Sequence, residues 1–585
     1  MSTRGAASAD SGKMSVTRKK LSIMIIQTGS TGDVFRSLMA LRAIHHLYPE
    51  ISIHVLSRSG ISDPFKRIDW IESVTEVPAI REGGDPVALT ALWIDRIINR
   101  SYDLIANWTF SGRYSRMAAL ITTLIPALVK LGDHMNEDLV LQSADAWTMY
   151  RRAWMDAGIE QDIHFTDMVT TQLLTALQIH AGEPKADAGM LSVTSRYFFK
   201  SVTNTPPKAW QDRPKGLKWI AIHPGSLPAR IGEWVEMILR RHPDFGVVVF
   251  GNRGALDVDS NSRVVALGDG IHFDSTLSVL AHCSWLVSGA HPIADLASLL
   301  NLRVFFQAAP QGREFSLGWT STGPYGNGHV IVSSREEWRP EAAYAAWSFY
   351  QSEWYHKNSI TVHGHFDQLG LLGALEDIQI FKSRIRAAVE GGGVTYDQNA
   401  GVVQDFENWI FRVRGQMARA WFCGWIPPVE EEVSRLNLTP DLIRRIRALG
   451  ESLTVVEKLS LEGRMTAIAL GKTAQSMKAG YLMSVEDRTG IEDSGKKLLE
   501  IEGLIARVAQ VEPELQCLLL WYRQVIHNLT GRTISEMSKE TAEAFDLVVE
   551  GVDLIGAYTR KTLDLAKPKA VGAVLAAVQG PKLDS

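Results

Sequence analysis

The stretch LSIMIIQTGSTGDVFRSLMALRAIHHLYPEISIHVL, Leu21 to Leu56, decides how the chain reads. Its opening run, Leu21 to Gln27, is short, apolar and rich in isoleucine, the pattern of a parallel strand covered on both faces. A glycine-containing turn follows, Gly29-Ser30-Thr31-Gly32-Asp33. From Val34 to Tyr48 the residues Leu38, Leu41, Ile44 and Leu47 recur at roughly helical spacing, and Ile51 to Leu56 reads as a second strand. Strand, turn, helix and strand in this order make one unit of a doubly wound α/β sheet, whose crossover is right-handed. Further strands are expected at Trp70–Val77 and Tyr102–Asn107.

The pattern restarts at Trp219-Ile220-Ala221-Ile222, a strand that ends in His223-Pro224-Gly225-Ser226. A helix is expected over Gly232–Arg241, then the strand Val247–Phe250 closed by Gly251-Asn252, and a helix around Leu277–His282. Next come the strand Trp285–Ser288, a helix over Ile293–Leu300 and the strand Arg303–Phe306. A less regular segment from Ser201 to Lys218, with Pro206-Pro207 and Pro214, separates the two α/β halves as a linker. After about Trp338 the strand signals fade. Leu498, Ile501, Leu504, Ile505 and Val508 share one helical face, Thr533-Ile534-Ser535-Glu536 has capping-box spacing, and Thr439-Pro440-Asp441 looks like a helix start. The expected division is a basic tail over 1–20, one α/β domain over 21–200, a second over 201–340 and a helical domain over 341–585.

Composition narrows the function classes. At 585 residues, 45% apolar and 22% charged, the chain is long enough for several cored domains and is neither disordered nor membrane-embedded in character. A net charge of −4 gives no pull toward nucleic acid. The three cysteines, Cys283, Cys423 and Cys517, have neither disulfide-framework nor zinc-ligand spacing, which fits a reducing compartment. The first twenty residues lack the apolar core of a secretory signal, and the apolar stretch at Leu120–Leu131 is broken by Pro126 and Lys130. The expectation is a cytoplasmic protein, with peripheral contact at the inner membrane left open. The 17 tryptophans, among them Trp421 and Trp425 beside Cys423, read as core packing before they read as a carbohydrate platform. Arg444, Arg445 and Arg447 read as a solvated helix face.

In doubly wound sheets ligands sit beyond the carboxyl ends of the strands, so the residues just after each strand are the candidates. Asp33 opens a helix, where backbone donors and the helix dipole favour its charged form. An ionised carboxylate at a cleft can take a proton from an acceptor hydroxyl; the same residue can equally be a helix cap. His223-Pro224-Gly225-Ser226 lets backbone amides and a hydroxyl approach a phosphate, with Arg230 as a bidentate cation, and as a bare motif it is also an ordinary turn.

Taken together these segments resemble the heptosyltransferases that build lipopolysaccharide cores, glycosyltransferase family 9. The resemblance rests on Thr31-Gly32-Asp33-Val34, Leu41-Arg42-Ala43-Ile44, Tyr48-Pro49, Tyr102-Asp103-Leu104-Ile105, His223-Pro224-Gly225-Ser226 and Gly323-Pro324-Tyr325-Gly326, in order over about 300 residues. The last of these corresponds to the segment after the final strand of the family's second domain. The resemblance implies a GT-B fold, two Rossmann-like domains facing across a cleft, here followed by an all-α C-terminal domain. It implies an inverting transfer of a sugar, heptose included, from a nucleotide-diphosphate donor to a glycan, lipopolysaccharide or protein acceptor, without cofactor or bound metal. Asp33 takes the place of the catalytic base, with Thr31, Gly32 and Tyr325 beside the acceptor. His223, Gly225, Ser226, Arg230, Gly251, Asn252, His291 and Asp295 fall on the donor side. The chain departs from the family at Ala290-His291-Pro292-Ile293-Ala294-Asp295, where Ala290 replaces the usual aspartate and Asp295 the usual histidine. That departure supports a different reading, a GT-B-like binding or scaffold protein whose helical domain holds a protein partner. A nucleotide-sugar epimerase is a third.

Overall fold

The computed structural model describes residues 20–78, 100–110, 114–156, 163–181, 206–224, 227, 230–251, 262–268, 272–308, 322–334, 339–355, 361–371, 375, 378–385, 394–401, 439–476 and 484–579. The first lobe begins with β1 (Ser22–Gln27), α1 (Thr31–Leu47), β2 (Ser52–Arg58), a short α2 (Asp63–Lys66), β3 (Ile71–Val77) and β4 (Tyr102–Asn107). It continues with α3 (Ser115–Leu124), β5 (Ala127–Met135), β6 (Leu141–Ser143), α4 (Ala146–Asp156) and α5 (Phe165–Ala181). The strands lie in the order β3-β2-β1-β4-β5-β6, parallel except for β6. The isoleucine-rich run is central because only a strand covered on both faces can bury consecutive apolar side chains, and Ile23, Met24, Ile25 and Ile26 are all buried.

The second lobe contains α6 (Lys208–Gln211), β7 (Lys218–Ile222), α7 (Ile231–Arg241), β8 (Phe245–Val249), β9 (Val264–Ala266), α8 (Phe273–Leu280) and β10 (Cys283–Ser288). After these come α9 (Pro292–Leu299), β11 (Arg303–Ala308), β12 (Val330–Ser334), α10 (Pro340–Tyr355), α11 (Val362–Gln368), β13 (Ile378–Ile385) and β14 (Val394–Gly401). The sheet order is β14-β13-β12-β11-β10-β7-β8-β9, parallel from β9 to β12. Both lobes therefore run third, second, first, fourth, fifth. Chain direction across each sheet reverses once, between β1 and β4 in the first lobe and between β7 and β10 in the second. Those two reversals are where a doubly wound sheet opens a ligand crevice.

The two crevices face each other. Gly32 follows β1 and Asp295 follows β10, and a β-carbon on Gly32 would stand 3.0 Å from the Asp295 carboxylate. The expected GT-B arrangement of two Rossmann-like lobes is thus present, and the part read as a linker holds a helical turn anchored by the buried Trp210.

The expected start of the helical domain at residue 341 is corrected. Residues 340–355 form α10, whose Trp347 is wholly buried against Trp234 of α7, with ring centroids 5.9 Å apart. β13 and β14 extend the second sheet by antiparallel pairing on β12. The second lobe accordingly runs through Gly401, and the described all-α part begins with α12 (Pro440–Ser476). It continues with α13 (Val485–Val511), a 3-10 turn at Pro513–Leu515, α14 (Gln516–His527) and α15 (Ile534–Gln579). The helix starts follow the sequence. Leu442 N donates to Thr439 Oγ1 at 3.2 Å, and at α15 Glu536 N donates to Thr533 Oγ1 while Thr533 N donates to the Glu536 carboxylate, both at 3.1 Å. Arg444 is solvated beside Asp441, whereas Arg445 bonds Glu512 and Glu514 and ties α12 to the end of α13. Trp421, Cys423 and Trp425 lie outside the described residues. No described helix is long and apolar enough to cross a membrane.

The helices attach to the first lobe. Trp147, Tyr150 and Trp154 of α4 share one buried core with Trp521 and Tyr522 of α14, and Asn528 Oδ1 accepts from Ser143 N at 2.7 Å. Along α12, Gly463 lies directly beneath the buried Phe545 ring of α15, where a β-carbon would overlap the ring, while Gly450 of the same helix has nothing within 4 Å of that position. Alanine gains about 1 kcal/mol over glycine in a helix interior, against ~1–3 kcal/mol for overpacking. Chemical denaturation is expected to show Gly450→Ala stabilising the chain and Gly463→Ala destabilising it.

Candidate functional site

On the first lobe the site is built by the turn after β1. Gln27 is buried and fixes that turn: its Nε2 donates to Ser37 Oγ at 2.8 Å and to Trp108 O at 3.1 Å, and its Oε1 accepts from Gly29 N at 3.0 Å. Ser30 caps α1, and Asp33 completes a capping box as its third residue. Asp33 Oδ2 accepts from Ser30 N at 3.0 Å and Ser30 Oγ at 2.8 Å, and Asp33 N donates to Ser30 Oγ at 3.2 Å. Asp33 is thus part of a helix cap, as one of its two sequence readings had it. Its other oxygen, Oδ1, lies 3.6 Å from Arg36 Nη1. The charge of Asp33 bears on Asp295 of the second lobe.

Arg36 is nearly buried and stands between two carboxylates. Its Nε donates to Gly32 O at 3.2 Å and lies 3.4 Å from Asp295 Oδ2. The sequence reading put Asp295 on the donor side. The structure places it on the first turn of α9 against Gly32 and Arg36 of the opposite lobe, with Oδ1 buried and without a hydrogen bond. Burial pushes its carboxyl up to about 7, opposed by Arg36 and aided by Asp33. Close by, Arg151 of α4 lies over Phe110 at 4.8 Å and Phe165 at 5.0 Å, its Nε buried without a hydrogen bond. Burial brings that guanidinium down to about 10, with Asp33 pulling the other way.

On the second lobe, His223 follows β7 and His291 precedes α9, at the point where that sheet reverses. Their rings stack with centroids 3.6 Å apart and planes 19° from parallel. His291 Nδ1 accepts from Ile293 N at 3.2 Å, so the neutral ring carries its proton on Nε2. Burial first, and then the neighbouring His223, lower His291 to about 4; burial likewise lowers His223. Both rings are neutral near pH 7. Arg230 stands just before α7, with its guanidinium bound in fork geometry to Glu233 at 2.8 and 2.6 Å. Gly251 ends the β8 segment in a bridge to Gly268. Gly225, Ser226 and Asn252 lie outside the described residues.

Tyr325 also joins the lobes. Its hydroxyl donates to Asp167 Oδ1 at 2.8 Å, and its ring leans on His164 with centroids 4.9 Å apart. His164 Nδ1 accepts from Thr166 N, so Nε2 donates to Gly323 O at 3.0 Å, and burial holds this imidazole neutral by lowering it to about 3. The Gly323–Gly326 segment thus lies between β11 and β12, before the last strands of its lobe, which corrects the expected position. Stacking of Phe35 on Phe273 at 5.9 Å and an ion pair of Arg67 with Asp274 add to the contacts between lobes. Sequence reading missed Arg36, Arg151, His164 and Asp167. Only Arg36, one helical turn beyond Asp33, carried a local signal. Among the described residues, no group of three or more His, Cys, Asp or Glu side chains could hold a metal ion.

No protein-family model and no curated protein matches the chain. Among solved structures it is similar to E. coli heptosyltransferase WaaC with ADP, at 13% identity and a TM-score of 0.39, over 57% of this chain and 99% of that one. It is similar to a glycosyl transferase family 9 protein from Veillonella parvula, at 10% identity and a TM-score of 0.39, over 60% and 96% of the two chains. A UDP-N-acetylglucosamine 2-epimerase from Listeria monocytogenes is similar at 12% identity and a TM-score of 0.30, over 52% and 81%.

The Asp295 environment sets a pH dependence. A carboxyl whose folded pKa is raised to about 7 keeps its proton in the native state when the unfolded chain, titrating near 3.9, has lost it. Its contribution to stability is fully present below about pH 4 and is lost as pH rises through about 7. Denaturation of the full chain at about pH 5 and about pH 8 is expected to show a smaller decline for Asp295→Asn than for the unaltered protein. An equal decline in both would contradict the assignment.

Proposed function

We propose that the chain is an inverting glycosyltransferase that moves a sugar from a nucleotide-diphosphate donor to a hydroxyl of a glycan, glycolipid or protein acceptor. The observation that carries this reading is the meeting of the two sheet reversals, with Asp33 at one and the His223–His291 pair at the other, and Arg36 and Asp295 between them. The sequence resemblance to heptosyltransferases supports it independently of the geometry.

In this reading Asp33 Oδ1 receives the proton of the acceptor hydroxyl. The hydroxyl oxygen forms its bond to the anomeric carbon, and the bond from that carbon to the donor phosphate breaks on the opposite face. The leaving diphosphate takes the electron pair. Its charge is met by the Nε2–H of His291 and by the dipole of α9, whose first amides, Ile293 N and Ala294 N, are already bonded to His291. Fixed donors of this kind need no reorganisation as charge develops, and the reaction needs no metal ion. Tyr325 and His164 hold the lobes together around the reacting atoms and keep out water.

The fork from Arg230 to Glu233 favours a second reading, a GT-B-like scaffold whose helical domain holds a partner, because it engages the guanidinium that the resemblance assigns to the donor. A panel of nucleotide-diphosphate sugars, scored by thermal shift and by mass spectrometry of released nucleotide, separates the two. A transferase is stabilised by at least one donor and turns it over; a scaffold binds none. Asp33→Asn is expected to lower turnover by ~10²–10⁴-fold while donor binding persists. Full turnover in that variant would remove Asp33 from the chemistry.

A further inference from the structure

Arg36 has to satisfy two carboxylates that belong to different lobes, and the way it divides itself between them bears on the transfer step. Asp33 Oδ2 is held by Ser30, so Oδ1 is the oxygen left to take a proton, and no other hydrogen bond to it is made among the described residues. At 3.6 Å from Arg36 Nη1, Oδ1 feels a fixed positive charge but lies beyond ordinary hydrogen-bond distance, so its lone pairs stay open. On the opposite side of the guanidinium Nε donates to Gly32 O, and Asp295 Oδ2 holds the group as an ion pair 3.4 Å from the same nitrogen. Gly32 is the space that allows this, since a β-carbon there would stand 2.5 Å from Arg36 Nη2 and 3.0 Å from Asp295 Oδ2.

We propose that Asp295 is a positioning residue for the transfer step: by anchoring the Arg36 guanidinium across the junction, it keeps that cation near Asp33 but off its reactive oxygen, and only when the lobes are shut. The proposal rests on the reading of Asp33 as the base. Lobe closure and base activation are then one event. In an open molecule Asp295 withdraws with α9, Arg36 keeps only its bond to Gly32 O, and its Nη1 swings the short distance onto Oδ1 and occupies the lone pair that must accept a proton. The other groups facing the cluster are Arg151 from α4, which adds a cation, and His164 ahead of α5, which is neutral. Burial already keeps the Asp295 proton on to near neutral pH, so the anchor is strongest on the alkaline side.

Two measurements on the full chain test this. The first is a double-mutant cycle on stability with Arg36→Gln, Asp295→Asn and the pair, read from denaturation midpoints, which needs no substrate. Non-additive shifts are expected for a direct contact, and additive shifts overturn the proposal. The second is the pH dependence of kcat/KM with a donor that the panel identifies. Asp295→Asn is expected to lower kcat with an unchanged donor titration and to move the acid limb down by roughly one pH unit, because Arg36 closes onto Asp33. Arg36→Gln is expected to move the same limb up by roughly one unit, because Asp33 is left facing Asp295, and Arg36→Lys to restore it in part. Limbs that do not move in opposite directions reduce Asp295 to a structural contact and overturn the positioning role. If no donor is turned over while the cycle remains non-additive, the contact stands but the transferase reading and the role built on it both fall.

Discussion

A guanidinium with little access to water needs counter-charges, and Arg36 finds one on its own helix and one on the facing lobe. Coulomb energy between unit charges a few ångströms apart grows several-fold when surrounding water is replaced by protein, so such a group is held far more firmly than a surface pair. The placement of everything nearby follows from it. Ser30 must cap α1 so that Asp33 presents one oxygen to Arg36; residue 32 must lack a side chain; α9 must bring Asp295 in at its first turn. These requirements belong to two segments of chain far apart in sequence and meet only when both sheets have folded and come together.

The second lobe answers with groups that carry no charge near neutral pH. His223 and His291 of the second lobe stack face to face, which charged imidazoles would resist, and His164 on the first lobe is too deeply buried to take a second proton. The first lobe holds Arg36, Arg151 and Asp33, and the second brings Asp295, whose carboxyl is raised to about 7, beside two neutral imidazoles and the end of a helix.

Much of the fold was legible because it is written in local periodicity. The continuous apolar run at β1 and the strand at Tyr102–Asn107 sit where the sequence put them, and the capping signals at Thr439 and Thr533 became bonds of the expected kind. β13 and β14 were not legible. The stretch Ile378–Ile385, IQIFKSRI, has neither a continuous apolar run nor a strict alternation, so its periodicity does not mark it as a strand. Val394–Gly401 is largely polar and is a strand only because β13 offers it an edge. At the site, Asp33 and His291 stand at strand ends and could be found by rule. Asp295 could be located but not partnered, since nothing in the residues around it says that Arg36 lies opposite. Arg151 and His164 have no local signature at all: their surroundings are supplied by Phe110 and Phe165 in one case and by the Gly323 carbonyl in the other.

Helix α4 has two faces with different neighbours. One packs Trp147, Tyr150 and Trp154 into the core shared with α14, and from the same helix Arg151 reaches between Phe110 and Phe165 beside Asp33. A rigid rod in that position is a lever. A displacement of the long helices that tilts α4 also shifts the arginine whose charge bears on Asp33, so the appendage and the lobe junction are coupled through one rod.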